Sequence, residues 1–184
     1  MPSRRVATAV ALALLLGATP SSGAELIERI LAVVDGRPLC LSDVRAVASL
    51  DGVDLHTALT RLVDETLVVQ EAYRLPQASL SPDEKRAAAA AGETEGARRA
   101  AYRRAVIRKY VAFRFRPQVR IDDKAVRDAY EEERAGGSDA PPFENAEAAL
   151  RERLAEREVQ ARVDDWTRDL RAAAAIRYNP PDPD

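Results

Sequence analysis

The chain has 184 residues, enough for one sizeable hydrophobic core after an N-terminal leader is set aside, and hardly for two. Its 28 Lys and Arg stand against 30 Asp and Glu, a formal net charge of -2 that removes the global attraction on which a dedicated nucleic-acid binder relies. Cys40 is the only cysteine, so neither an intramolecular disulfide nor a Cys-based zinc site can form, and stability must come from packing.

Arg4 and Arg5 precede an apolar run from Val6 to Ala18, and Pro20, Ser21, Ser22, Gly23 and Ala24 follow. Charged, apolar and small-residue segments in that order read as a secretory signal, residues 1–24, cleaved after Ala24. The apolar run is about thirteen residues, short of the roughly 20 that a spanning helix needs, so an uncleaved anchor is the lesser alternative. No Cys stands at the cleavage point to take a lipid, and the Arg pair lacks the rest of a twin-arginine signal. The expected location is the periplasm.

Residues 30–34 and 37–41 read as two short strands joined by Asp35-Gly36, since that pair tolerates the positive φ angles of a two-residue hairpin turn. Pro38 cannot donate to a ladder, so its strand should keep one free edge. Ser42 and Asp43 offer cap oxygens to a helix through Val44, Val47 and Leu50, ended by Asp51-Gly52. A second helix, 54–75, follows from Leu59, Leu62, Val63, Thr66, Leu67, Gln70 and Tyr73 at three- and four-residue spacing, stopped by Pro76. Ser81-Pro82-Asp83-Glu84 carries a cap, a first-position proline and a capping-box glutamate, and the Ala run 87–91 extends that helix to Gly92 with little to bury.

A longer helix, 95–115, places Tyr102, Val106, Tyr110 and Phe113 on one side and Arg99, Arg103, Arg104 and Arg108 towards the other. Pro117 breaks it, 119–121 is an extended joint, and Asp122 caps a helix over 124–134 with Val126, Ala129 and Tyr130 inward. The linker at 136–143 is rich in Gly and Pro. A charged helix over 144–175 turns Leu150, Leu154, Val159, Val163, Trp166 and Leu170 to one side. Its i,i+4 pairs, such as Glu147/Arg151 and Glu158/Arg162, contribute only ~0.2–0.5 kcal/mol each, so it needs tertiary contacts. Residues 176–178 form a strand too short to stand alone, and the unpaired edge of the N-terminal hairpin is its natural partner. A disordered tail, 179–184, follows.

Little here points to catalysis. His56 is the sole histidine and reads as a surface residue, no strained nucleophile turn flanks any Ser, and no His/Cys cluster or Gly-rich phosphate loop is present. No catalytic residue, metal or cofactor is expected, and Cys40 reads as a small buried hydrophobe. Arg98, Arg99, Arg103, Arg104, Arg108, Lys109, Arg114 and Arg116 read first as a solvated face partly paired with acids of the C-terminal helix. Contact with an anionic membrane surface or an acidic client comes second, and export leaves nucleic acid last. The aromatics are mainly core, yet residual apolar surface between long helices is what a polypeptide-binding groove is made of. Tyr102, Val106, Tyr110, Phe113, Tyr130 and Trp166 are the candidate surface.

ILAVVDGRPLCLSDV at 30–44, LVDETLVVQEA at 62–72, YVAFRFRP at 110–117, IDDKAVRDAY at 121–130 and the run from Leu154 through Trp166 to LRAAAAIRY at 170–178 stand in that order after an export signal. Together they resemble the chaperone core of SurA-type periplasmic proteins. That resemblance implies a mainly α, multi-helix SurA-like chaperone core over 25–178, with a small N-terminal β-hairpin joined by a short C-terminal strand. Its parts would be 25–135, the linker 136–143, and the helix and strand 144–178. Parvulin isomerase domains in that family precede the late helix. Here only 136–145 occupy that place and parvulin-type histidines are missing, so prolyl isomerase activity is not expected. Residues 87–96 are shorter and richer in Ala than the family counterpart, so its groove shape is not carried over. The expected function is ATP-independent holding of unfolded or extended polypeptides, outer-membrane protein precursors among them. The alternative is an accessory subunit on one fixed partner, an isomerase or assembly complex. Oligomeric state stays open.

Overall fold

Asp35 and Gly36 sit at φ 47° and 81°, the paired positive angles of a type I′ turn, and they fold β1 (Ile30–Val34) back against β2 (Arg37–Cys40). The structure is a computed structural model that describes residues 28–136 and 141–179. Residues 1–27, where the expected signal 1–24 falls, residues 137–140 of the expected linker and residues 180–184 of the expected tail 179–184 lie outside the described residues.

Among the described residues six α-helices and one more strand follow: α1 (Leu41–Asp51), α2 (Leu55–Ala72), α3 (Pro82–Ala90), α4 (Glu95–Arg114), α5 (Asp123–Ala135), α6 (Phe143–Ala173) and β3 (Ile176–Tyr178). The fold is mainly α, with a small antiparallel sheet in the order β2-β1-β3. β3 takes the free edge of β1, pairing Val34 with Ile176 and Ala32 with Tyr178. Asp35 N–H donates to Ala175 O at 3.0 Å, Ala175 N–H to Asp35 Oδ1 at 2.8 Å, and Asn179 N–H to Leu31 O at 2.9 Å. Pro38 therefore lies on an edge strand, as its missing N–H requires.

Two expected caps form: Asp122 accepts from the Ala125 backbone, and Ser81 with Glu84 completes a capping box. Asp54, accepting from the backbone of His56 and Thr57, and Thr94, accepting from Ala97, cap α2 and α4 as well. The expected cap of α1 does not form, because the helix starts at least two residues early, with Cys40 in place of Ser42 at the cap and no side-chain bond from it. The Ser42 N–H donates instead to the Glu28 carboxylate at 3.2 Å, which drops below its usual pKa chiefly through its bonds with Ser42. A cap from fourteen residues upstream leaves no local trace in the sequence. Cys40 is correspondingly half-buried and not fully inside. α6 begins at Phe143, within the anticipated linker.

Three apolar clusters hold these elements. Ala32, Val34 and Leu39 of the sheet meet Val44 and Val47 of α1 and Ala58, Leu62, Val63 and Leu67 of α2. Val68, Val69 and Ala72 of α2 meet Val106 and Tyr110 of α4 and Phe115, with Val159, Val163, Trp166 and Leu170 of α6 packed against them. Val126 and Tyr130 of α5 meet Leu150 of α6 in a third, smaller core. α4 approaches α1 so closely at Gly96 that an added Cβ would lie 2.7 Å from the Ala46 Cβ, which is why a residue without one stands there. The Arg171 guanidinium donates to Asp64 Oδ1 at 2.7 Å and to Thr60 O at 3.1 Å, fastening the end of α6 to α2.

Candidate functional site

The six residues expected to share a surface part company. Val106, Tyr110 and Tyr130 are 1%, 2% and 8% exposed, so they are core and present no surface. Tyr110 and Trp166 stack with ring centroids 5.4 Å apart, and Phe115 joins them at 5.3 Å from Trp166. Arg114 lies over both the Phe115 and the Trp166 rings, closing the outer side. That cluster clamps α6 to α4. Tyr130 belongs to the α5–α6 core, edge-on to Phe143, with its hydroxyl donating to Pro141 O at 2.8 Å. Phe113 turns outward and is 50% exposed, because α4 buries the stripe through Ala100, Val106 and Tyr110. Only Tyr102 opens into a concave site.

Tyr102 lines a cleft of about 320 Å³ where β2, α1, α2 and α4 converge. Leu39, Leu62 and Val69 make an apolar floor, with Thr66 between them bonding its hydroxyl to Leu62 O within its own helix. Tyr73 and Tyr102 make the walls, and Tyr73 is 53% exposed. The Tyr73 phenol is raised above its ordinary pKa, first by burial and next by Tyr102, so it stays a neutral donor. Arg37, Arg99 and Arg103 form the rim with Asp43.

The backbone of β2 limits what this edge can do. A two-residue turn makes Val34–Arg37 the hydrogen-bonded pair, so the adjacent Val33–Pro38 pair turns the Pro38 carbonyl away from β1. A visiting chain finds an acceptor there and no donor. Binding by strand addition is thereby weakened, and side-chain recognition in the cleft is favoured.

Among the described residues the Arg face pairs mainly with α1, α2 and α3, and only in one place with α6, where acids of the C-terminal helix were expected. Arg99 meets Asp43 of α1 at 2.8 Å, Arg103 and Arg104 meet Glu65 of α2 at 3.2 and 2.9 Å, and Arg104 also meets Asp51 at 2.9 Å. Lys109 meets Glu84 of α3 at 2.6 Å, and Arg116, two residues past the end of α4, pairs with Glu152 of α6. α1, α2 and α3 flank α4 along its length, whereas α6 touches it mainly through the aromatic clamp. Asp51 is held below the ordinary carboxylate range, first by its bond from Arg104.

A second groove of about 670 Å³ runs between α3 and α4, lined by Ala87, Ala91, Ala101 and Ala105 with Leu50 at one end and Arg108 on its wall. Among the described residues, no group of three or more His, Cys, Asp and Glu could hold a metal ion, and no helix is long and apolar enough to cross a membrane. Sequence reasoning missed Arg37, Leu39 and Tyr73 as site residues, whereas Arg99 and Arg103 were already among the cations with an acidic client as second reading. Tyr73 did carry a signal, as the last member of the α2 stripe with only Pro76 beyond it, but what covers a stripe is not written in the stripe.

No protein-family model, curated protein or solved structure matches the chain.

Proposed function

We propose that this chain is an exported, ATP-independent holder of extended polypeptide segments, working in the periplasm without catalysis, with the β2–α2–α4 cleft as its binding site. The observation that carries this reading is the cleft itself. An apolar floor, two tyrosine walls and an outward carbonyl converge at a sheet edge, and Tyr73 remains half-exposed where a core residue would be covered. The order of charged, apolar and small residues over 1–24 supports export, and the SurA-type resemblance supports the kind of client.

The purified protein is expected to slow aggregation of an unfolded outer-membrane protein without ATP. Tyr73→Ser and Tyr102→Ser should each weaken peptide affinity by roughly three- to tenfold while circular dichroism stays unchanged. Absence of protection together with absence of peptide binding would reject the proposal. The Ala-lined groove with its exposed Leu50 favours a second reading, an accessory subunit seated on one fixed partner. A single stoichiometric partner in periplasmic pull-downs would select that reading, and a spread of clients the first.

A further inference from the structure

We infer that the cleft selects segments in which an aromatic or aliphatic side chain stands next to a carboxylate; this rests on the reading of the cleft as a polypeptide site. The charges around the cleft are uneven. Arg61, Arg103 and Arg104 share only Asp51 and Glu65, so three guanidiniums divide two carboxylates. Asp43 is taken by Arg99, which also meets Glu95 at 3.6 Å. Among the described residues Arg37 makes no ion pair, although it stands on the rim near the Tyr73 hydroxyl. Arg103 is spent at Nε on Glu65, and its buried Nη2 has no hydrogen-bond partner.

A buried N–H without an acceptor is costly, and an incoming carboxylate would convert that cost into a charge-assisted bond. Arg37 therefore stands on the cleft rim without a carboxylate, and Arg103, which also lines the cleft, keeps one buried nitrogen without an acceptor. The floor of Leu39, Leu62 and Val69 takes an apolar side chain, Tyr73 and Tyr102 flank it, and the Pro38 carbonyl can accept from a peptide N–H. A bare anion or a lipid headgroup would use the arginines and leave the floor and the carbonyl idle. An acidic, apolar-bearing peptide uses all three.

The test is fluorescence anisotropy with three labelled peptides that share a Phe-Val centre and carry Glu, Ser or Lys flanks. The Glu peptide should bind roughly five- to tenfold tighter than the Ser peptide at low salt, with the gap shrinking as salt rises. Arg103→Gln should narrow that gap. Arg37→Gln should narrow it too, and because Arg37 is exposed without an ion pair this variant folds even if the other does not. Equal affinity for all three peptides, or a preference for Lys, overturns the charge selection and leaves the polypeptide reading standing. Failure of every peptide to bind overturns both. Self-association that the Glu peptide competes away would assign the cleft to a second copy of the chain and also overturn the inference.

Discussion

Glu84 accepts from the Ser81 backbone N–H and from Lys109 Nζ, both at 2.6 Å, so a single carboxylate caps α3 and ties it to α4. The Lys109 bond first, and the Ser81 backbone bond next, lower its pKa from 4.5 to about 2. A depressed folded-state pKa means that the stabilisation is fully present above the ordinary carboxylate value and is lost as pH falls from 4.5 through about 2. The urea midpoint should decline across that window, and Glu84→Gln should lower it at neutral pH while flattening part of the decline. Glu28, Asp51 and Asp54 are lowered as well, so some acid sensitivity should remain in the variant. Parallel midpoint curves for the two proteins would show that Glu84 contributes nothing. The capping half of this arrangement was legible in Ser81-Pro82-Asp83-Glu84 because a cap is local. The Lys109 half was not, since it depends on α3 lying along α4.

At the scale of elements, α6 reaches all three cores. Leu150 and Leu154 face α5, whereas Val159, Val163, Trp166 and Leu170 face the body, and the step of five residues between Leu154 and Val159 marks the change. The helix and its apolar side were readable from periodicity. The division was not, because a period tells which residues are apolar and not which neighbour covers each. α5 is held chiefly by α6, through a core of three buried residues supplemented by Arg151, which donates to Ile121 O at 2.9 Å and to Asp123 at 2.8 Å. Such a unit should open more readily than the body. Leu150 is 2% exposed, and Leu150→Ala removes roughly a third of that core, so it should cost about 2–4 kcal/mol locally. In hydrogen exchange, α5 and the first half of α6 should lose protection while α2 and the sheet keep theirs. Equal loss throughout would mean that the hairpin and the body unfold as one unit.

At the scale of the whole molecule, the sheet joins the two ends of the described chain, and it does so on the one edge that has no proline. β2 is blunted by Pro38, but β1 offers Leu31 and Val33 to whatever strand comes next, and β3 fills that place. The position of β3 was legible because three residues cannot form a strand without a partner and only one unblocked edge existed. Its consequence is testable by ending the chain after Ala174, which removes the Ala175 bonds to Asp35, the Asn179 bonds to Leu31 and Ile30, the β1–β3 pairing and the Ile176 contact with the first core. α6 would keep its Tyr110–Trp166 stack and its Arg171–Asp64 pair. The truncated protein should therefore retain the emission of Trp166, its only tryptophan, while self-associating through the bared β1 edge in size-exclusion chromatography. Val33→Lys in that background should restore the monomer by placing a charge on the edge strand. A truncated chain that stays monomeric and equally stable would show that β3 protects nothing, and a shift of Trp166 to solvent-like emission would place the anchor of α6 in the sheet and not in the aromatic clamp.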